Sequence, residues 1–212
     1  MDWHVFHFLN GALQGHQSIA DDIEDFVTYW VVPLFAAATF SLWLLDRPGG
    51  SYRWRVVCLA ALTSAAIGLL LSQAVSHLWA RERPFVAHPR DTILLVAPSH
   101  EPSFPSDHAV AAFAIAFTVA LMGGRLAGAL FLAGASLVAV PRIFVGLHYP
   151  GDIAGGVLIG LISALAVYFV TRGRWSPLVR LLSRLTDPLT APAWKALDVH
   201  RARRRIRQYR LL

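Results

Sequence analysis

Long apolar stretches separated by short polar breaks make up most of the chain. Five of these stretches approach the roughly 20 residues that cross a bilayer core, and they cover 26–45, 56–79, 108–122, 126–145 and 153–170. The third is short unless it extends back to Pro105, and the fourth is interrupted at Pro141 and Arg142. The pattern predicts an all-α fold, a polytopic membrane helical bundle of about five transmembrane helices.

Two segments outside these spans are too short or too polar to cross a membrane. The pattern of apolar and polar residues in 1–15 predicts a helix at the membrane interface, and a loosely ordered terminus is the alternative. The apolar residues of this segment that could share one face are Trp3, Val5, Phe6, Leu9 and Leu13. The longest break, 85–104, contains a short apolar run at 92–97, which we expect to pack over the bundle as a lid or to dip into the interface.

Composition places the chain in the membrane class. Hydrophobic residues make up 56% of its 212 residues, and the mean hydropathy is +0.51, which is too apolar for a soluble domain. The segment 1–17 lacks the basic start and continuous apolar core of a cleavable signal, so we expect it to be retained. With one cysteine, Cys58, the chain cannot form an intrachain disulfide.

Charge is distributed unevenly along the chain. Eleven Lys or Arg but only two Asp follow residue 171, whereas the segment 1–25 holds five acids and no Lys or Arg. Because cytoplasmic loops are enriched in Lys and Arg, we expect the arginine-rich turn at 46–55 and the basic tail to lie inside. The alternation of spans then places Arg81, Arg83, Arg90 and Arg142 on the outer side. This placement departs from the enrichment of arginine in cytoplasmic loops and is expected of arginines that bind an anion.

The end of the chain predicts a separate element. After residue 176, leucines recur at helical spacing beside arginines, which is typical of an amphipathic helix on a membrane surface. We therefore expect a membrane-embedded domain over 1–175 and a basic amphipathic cytoplasmic tail over 176–212. Membrane lipids, and not nucleic acid, are the expected partner of the six arginines in 201–210. A solvated tail that only fixes topology is the alternative.

Three polar motifs lie at span ends that the topology brings to one face. They are Arg83-Pro84, Pro105-Ser106-Asp107-His108, and Arg142 followed by His148 and Asp152. Arginine offers paired N–H donors to phosphoryl oxygens. Ser106 is placed as the N-cap of the third span, where free backbone N–H groups can bind an anion. These residues predict a site that binds phosphate.

The two histidines extend this prediction from binding to catalysis. His148 is the predicted nucleophile, because an imidazole nitrogen can accept a phosphoryl group and release it to water. Asp152, in the first turn of the fifth span, is expected to accept the proton on the other ring nitrogen. His108 is expected to protonate the leaving oxygen and then to activate water. Each motif alone has a structural explanation, but the three on one face indicate phosphoryl transfer.

The three motifs resemble the signature of the type 2 phosphatidic acid phosphatase superfamily. More narrowly, 81–88 and 103–108 resemble the bacitracin-resistance type of undecaprenyl diphosphatase. The resemblance implies a lipid phosphatase that uses a phosphohistidine intermediate and needs no metal or other cofactor. It also implies removal of the terminal phosphate of undecaprenyl diphosphate, an isoprenoid lipid carrier of cell-wall synthesis, at the outer face of a bacterial inner membrane.

Two alternatives remain open at this point. The chain could act on another lipid phosphate, such as phosphatidylglycerophosphate, or it could bind or transport a lipid phosphate without turnover. The sequence leaves the oligomeric state open.

The chain departs from the superfamily pattern at three positions. Ser76 stands where the pattern has lysine, so Arg81 is a candidate for the missing phosphate-binding cation. Pro141 replaces a serine, and Asp107 replaces a glycine, as it does in the diphosphatase subset. Asp107 is expected to orient His108 or Arg83 within the phosphate site. The alternative for Asp107 is an exposed acid in the first helical turn, which the helix dipole favours.

Overall fold

The computed structural model describes residues 2–12, 17–170 and 175–209, without the side chains of residues 17, 28, 176 and 201–209. No β-strand occurs in these ranges. A π-helical turn, Phe26–Trp30, joins α2 to α3. The α-helices are α1 (Asp2–Gly11), α2 (Gln17–Asp25), α3 (Val31–Leu44), α4 (Arg53–Leu78), α5 (Pro84–Ala87), α6 (Asp107–Met122), α7 (Arg125–Ala139), α8 (Pro141–Phe144), α9 (Pro150–Val170) and α10 (Ser176–Tyr209).

The predicted all-α membrane bundle is confirmed. Among the described residues, Arg53–Leu78, Arg125–Phe144 and Pro150–Val170 are long and apolar enough to cross a membrane, while Val31–Leu44 and Asp107–Met122 are shorter apolar helices. The first of these two continues the π-helical turn, which lengthens the helical stretch. The predicted break at Pro141 separates α7 from α8.

Helix α6 forms the centre of the bundle and packs against α4, α7 and α9. The contact between α6 and α9 is close because glycines of α9 face α6. A Cβ on Gly156 would lie 2.6 Å from Ala109 Cβ, and one on Gly160 would lie 2.8 Å from the backbone nitrogen of Ala114. Small residues four positions apart let two membrane helices approach closely. This approach brings the start of α6 beside the start of α9.

The bundle has two chemically different ends, which α4 connects. The 26 residues of α4 span about 39 Å. At its first turn, Arg55 is fully buried, and its Nη1 lies 2.6 Å from Asp187 Oδ1 of α10. The backbone N–H of Arg55 also donates to Asp46 at 3.0 Å. At its last turns, α4 borders a cavity that Arg83, His108, Arg142 and His148 also line.

The first helix packs across the motif end of the bundle. Phe6 is fully buried against Tyr149. The Asn10 amide donates to the carbonyls of Ile93 and Phe144, both at 2.8 Å, and its oxygen accepts from the Ile93 N–H at 2.8 Å. The predicted helix is present, and Trp3, Phe6 and Leu9 of the predicted face pack in one cluster. Val5 is 44% exposed, and Leu13 lies outside the described residues.

The apolar run at 92–97 packs over the bundle, as the first of its two predicted placements requires. Leu94, Leu95 and Val96 contact a cluster that contains Val145 and Leu147, and the N–H of Leu95 donates to the Val145 carbonyl at 3.2 Å. The segment therefore lies directly over the loop that carries the third motif.

The predicted amphipathic tail is the long helix α10. Its leucines 178, 181, 185 and 189 are exposed, while the Trp43 indole donates to the hydroxyl of Thr186 at 3.1 Å. The side chains of the arginine-rich part lie outside the described ones, as do residues 210–212. The boundary between membrane domain and tail near residue 175 stays a prediction.

We predict that Gly160→Ala lowers the midpoint of thermal unfolding in detergent. The added methyl group would meet the α6 backbone, which cannot move aside as a side chain can. Overpacking of this kind costs about 1–3 kcal/mol. Gly11→Ala is the matched control, because a Cβ there meets nothing within 4 Å. Equal midpoints for the two variants would contradict the close packing of α6 on α9.

Candidate active site

A cavity of about 850 Å³ lies at the end of the bundle where the three motifs meet. Each motif contributes to its wall, although the motifs lie far apart in the sequence. The motif residues that line it are Arg83, Pro105, Asp107, His108, Arg142 and His148. The apolar part of the wall includes Val27, Val32 and Pro33 near the π-helical turn. It also includes Val96 and Ala97 of the apolar run at 92–97. The cavity therefore joins a charged end to an apolar end.

His148 is oriented by two contacts, one at each ring nitrogen. Nδ1 lies 2.9 Å from the carbonyl oxygen of Ser103. Because a carbonyl can only accept, Nδ1 carries the proton, and Nε2 keeps its lone pair. Nε2 lies 3.3 Å from Nη1 of Arg83, at the cavity. The ring is thus held in the tautomer that a nucleophilic Nε2 requires.

Burial also favours the neutral form of His148, which is only 4% exposed. It lowers the pKa of the imidazole, and Arg83 lowers it further, while Asp152 and the Ser103 carbonyl oppose the shift. A lowered pKa means that the unprotonated ring persists to a lower pH than usual. His148 is therefore available as a nucleophile at neutral pH.

Asp152 is fully buried and bonded through both carboxylate oxygens. Oδ2 accepts from the Ser103 hydroxyl at 2.5 Å and from the Tyr149 N–H at 2.8 Å, and Oδ1 accepts from Arg81 at 2.9 Å. It lies in the first turn of α9, as predicted. The predicted direct bond to His148 is long, since Oδ2 is 3.6 Å from Nδ1. Ser103 connects the two residues with its hydroxyl and its carbonyl.

Two buried arginines border the cavity beside His148. Arg83 is 7% exposed and donates to the carbonyls of Glu101 at 2.8 Å and Leu147 at 3.3 Å. Arg142 is 8% exposed, and its Nε has no hydrogen-bond partner among the described residues. Neither arginine forms an ion pair within those residues. Buried cations of this kind can bind an anion.

The second motif lies at the start of α6. Ser106 is the N-cap residue, as predicted, but its hydroxyl makes no capping bond and has no partner among the described residues. His108 lines the cavity, and its charge would interact with those of Arg142, His148 and Arg83. The Ser106 hydroxyl and the His108 ring can therefore form hydrogen bonds with a ligand.

Two of the predicted phosphate-binding residues point elsewhere. Asp107 accepts hydrogen bonds from Ser72 and Gln73 of α4 and does not bond to His108 or Arg83. It borders the cavity, at the first position of α6. Its carboxylate ties α6 to α4, a contact between helices that sequence spacing does not reveal.

Arg81 is turned away from the cavity. Its two terminal nitrogens face Asp152 at 2.9 Å and Asp2 at 2.7 Å, and its guanidinium lies over the Tyr149 ring at 3.9 Å. It therefore does not replace the missing lysine. Ser76 lines the cavity at that position and donates to the Phe104 carbonyl at 3.0 Å.

Sequence reasoning missed Ser103 and Asp2. Ser103 lies just before the second motif, so its proximity to that motif was an available signal. Asp2 is far from Gly151 in the sequence, yet it accepts from the Gly151 N–H at 2.9 Å. No local pattern marks such a contact.

The geometry provides an oriented imidazole, a second histidine and two buried guanidinium groups at one wall. This arrangement can bind a phosphoryl group and attack its phosphorus from Nε2. No group of three or more His, Cys, Asp or Glu in the described ranges is placed to hold a metal ion.

Comparison with known proteins supports this chemistry. The model of the PAP2 superfamily matches residues 56–176. Undecaprenyl-diphosphatase BcrC of Bacillus subtilis strain 168 is 29% identical over 89% of this chain and 93% of the relative. The bacitracin transport permease protein BcrC of Bacillus licheniformis is 29% identical over 78% of each chain. The crystal structure of Aquifex aeolicus LpxE shares the fold, with a TM-score of 0.60 at 22% identity over 78% of this chain and 93% of that chain.

We predict that Gly146→Ala strongly reduces activity. Gly146 has φ +85°, and a Cβ there would collide with the Ile93 carbonyl, so the loop between Arg142 and His148 must move. Displacements of about 1 Å at a reacting group can cost on the order of a hundredfold in rate. Gly49→Ala is the control, since Gly49 has φ +71° but open space around it. A similar loss in both variants would show that backbone strain alone, and not the site, is responsible.

Proposed function

The chain belongs to the PAP2 superfamily and is a multi-pass membrane lipid phosphatase, and we propose that it hydrolyses the terminal phosphate of undecaprenyl diphosphate. The products are undecaprenyl phosphate and inorganic phosphate, so the reaction recycles a cell-wall lipid carrier. The observation that carries this proposal is the His148 ring, with Nδ1 tied to Ser103 and Nε2 beside Arg83, a cation that pairs with no carboxylate among the described residues. The name of the Bacillus subtilis relative supports the choice of substrate.

In the first proposed step, His148 Nε2 attacks the terminal phosphorus. A bond forms between Nε2 and phosphorus, and the bond from phosphorus to the bridging oxygen breaks. That oxygen leaves on the lipid phosphate and takes a proton from His108. Arg83 and Arg142 bind the equatorial oxygens, on which negative charge is concentrated in the transition state.

In the second step, water replaces the enzyme as the phosphoryl acceptor. His108, now unprotonated, takes a proton from water as the water oxygen attacks phosphorus. The bond between Nε2 and phosphorus breaks, inorganic phosphate leaves, and His148 returns to its starting tautomer. The Ser103 carbonyl and Asp152 stabilise the positive charge on the ring while Nε2 is phosphorylated.

The proposed location is a bacterial inner membrane, with the site on the extracytoplasmic face. The arginine-rich 46–55 turn and α10 meet at the end of the bundle opposite the cavity, through Arg55 and Asp187. If that end is cytoplasmic, as its positive charge favours, the cavity opens to the outer leaflet. The apolar wall that includes Val27 and Val32 then offers a surface for the isoprenoid chain.

A diphosphate requires a contact for its second phosphate, and α4 provides one. Gln73, Ser76 and His77 lie on one face of α4 and line the cavity. The Ser76 hydroxyl and the Gln73 amide are bonded within the protein. His77 Nδ1 lies 2.7 Å from the Gln73 carbonyl, which leaves Nε2 as a donor when the ring is protonated. We assign His77 to the phosphate that remains on the lipid.

Two alternatives make different predictions about turnover. A phosphatase for lipid monoesters such as phosphatidylglycerophosphate would release phosphate from those lipids and less from prenyl diphosphates. A lipid-phosphate binder or transporter would release none. The name of the Bacillus licheniformis relative describes that protein as a bacitracin transport permease. A panel of purified lipids in detergent separates the three.

We predict that His148→Ala abolishes phosphate release from prenyl diphosphates, with a loss on the order of a thousandfold or more, while lipid still binds. With substrate radiolabelled in its terminal phosphate, the wild type should retain label on a histidine after an alkaline quench. His108→Ala should accumulate more label, because it lacks the base for the second step. His200→Ala, an exposed histidine on α10, should match the wild type. Turnover by His148→Ala, or label elsewhere in the chain, would exclude the proposed intermediate.

We predict that His77→Ala raises KM for prenyl diphosphate several-fold and leaves KM for prenyl monophosphate unchanged. The measurement is steady-state phosphate release over a range of substrate concentrations, with His200→Ala as control. Equal changes in KM for both substrates would remove His77 from the second phosphate.

A further inference from the structure

Helix α1 contacts both the first and third motif regions, although it lies outside the residues that match the PAP2 superfamily. The Trp3 ring stacks on His88 with centroids 3.7 Å apart, and the Phe6 ring meets Tyr149 edge-on at 5.5 Å. Asp2 makes the polar contact, and it does so with two segments at once. It accepts from the N–H of Gly151 at 2.9 Å and from Arg81 at 2.7 Å.

Arg81 continues this contact towards the reacting group. Its other terminal nitrogen donates to Asp152 Oδ1 at 2.9 Å. The opposite oxygen of Asp152 accepts from Ser103, whose carbonyl accepts from His148 Nδ1 at 2.9 Å. An unbroken series of polar contacts therefore runs from Asp2 to the imidazole.

We propose that Asp2 and Arg81 are positioning residues, which act through Asp152 to keep His148 oriented and unprotonated for attack on phosphorus. This inference rests on the proposed role of His148 as the nucleophile. Neither Asp2 nor Arg81 lines the cavity, so neither is expected to touch the substrate. Helix α1 then belongs to the catalytic architecture.

The electrostatic reason lies in the burial of Asp152. A fully buried carboxylate is costly unless its charge is matched, and Arg81 is the cation that it contacts. The charged or titratable groups that act on His148 are Asp152 and Arg83, with His108 nearby. Without Arg81, the negative charge of Asp152 would attract a proton to His148 more strongly. The nucleophile would then be protonated over more of the neutral range.

Asp2 has a different part in the same arrangement. It holds the second terminal nitrogen of Arg81 and so fixes the guanidinium over the Tyr149 ring. It also holds the Gly151 N–H at the start of α9, the helix that carries Asp152. A Cβ on Gly151 would lie 2.7 Å from Asp2 Oδ2, which shows how closely α1 approaches this turn.

The test is a double-mutant cycle on the full-length protein in detergent, with prenyl diphosphate as substrate. The variants are Arg81→Met, Asp2→Ala and their combination, with Arg81→Lys as the conservative change and Asp22→Asn, an exposed acid of α2, as the control. Phosphate release gives kcat and KM, the pH profile gives the acid limb, and thermal unfolding gives stability.

We expect Arg81→Met to lower kcat by about tenfold, the lower end of the loss seen when a partner that orients a metal-ligating side chain is removed, with KM nearly unchanged. Its acid limb should move to higher pH, and Arg81→Lys should restore the limb. Asp2→Ala should lower kcat less, and the combined variant should be no slower than Arg81→Met, because the two residues act in series. Asp22→Asn should equal the wild type.

Three results would overturn the inference. They are unchanged kcat and acid limb in Arg81→Met, additive losses in the combined variant, or losses that follow only a lower unfolding midpoint. If Arg81→Met does not fold, Asp2→Ala decides alone, and a kcat equal to that of the wild type would overturn the inference. If His148→Ala retains activity, the proposed function fails instead, whatever the cycle shows.

Discussion

The buried carboxylate of Asp152 is the constraint on which the site depends. A charge without access to water must be matched by the protein, and here that requirement brings together segments that are distant in sequence. Arg81 comes from the first motif region, Ser103 from the second and Tyr149 from the third. The backbone carbonyl of Asp152 also accepts from Ser106 at 3.2 Å. The loops are therefore held in one arrangement before any substrate binds.

Helix packing determines where this carboxylate can be. Asp152 lies in the first turn of α9, and the glycines at 156 and 160 let α9 lie against the backbone of α6. The same contact places the start of α6, with Ser106 and His108, beside the start of α9. Close packing of two apolar helices thus sets the geometry of a polar site at their ends. This link explains why the motif residues follow span boundaries in the sequence.

The spans and the chemistry of the motifs could be predicted from sequence, whereas the partners of several residues could not. Apolar length identifies α4, α7 and α9 because lipid demands about 20 such residues, and His148 and Asp152 lie where a helix start was expected. Arg81 was misassigned to phosphate because its carboxylate partners, Asp2 and Asp152, belong to distant parts of the sequence. Hydrogen bonds between such distant segments depend on the fold, and Asp2 and Asn10 were missed for the same reason.

The two ends of the bundle show what separates a ligand site from a structural charge cluster. At the α10 end, the buried Arg55 faces Asp187 at 2.6 Å, so its charge is matched within the protein. At the cavity, the buried Arg83 and Arg142 form no ion pair within the described residues. Of the acids whose charges act on Arg83, Asp152 is bound by Arg81 and Asp107 by α4, whereas Glu101 lines the cavity without an ion pair among the described residues. By occupying Asp152, Arg81 therefore keeps the two cavity arginines available for the oxygens of a phosphate.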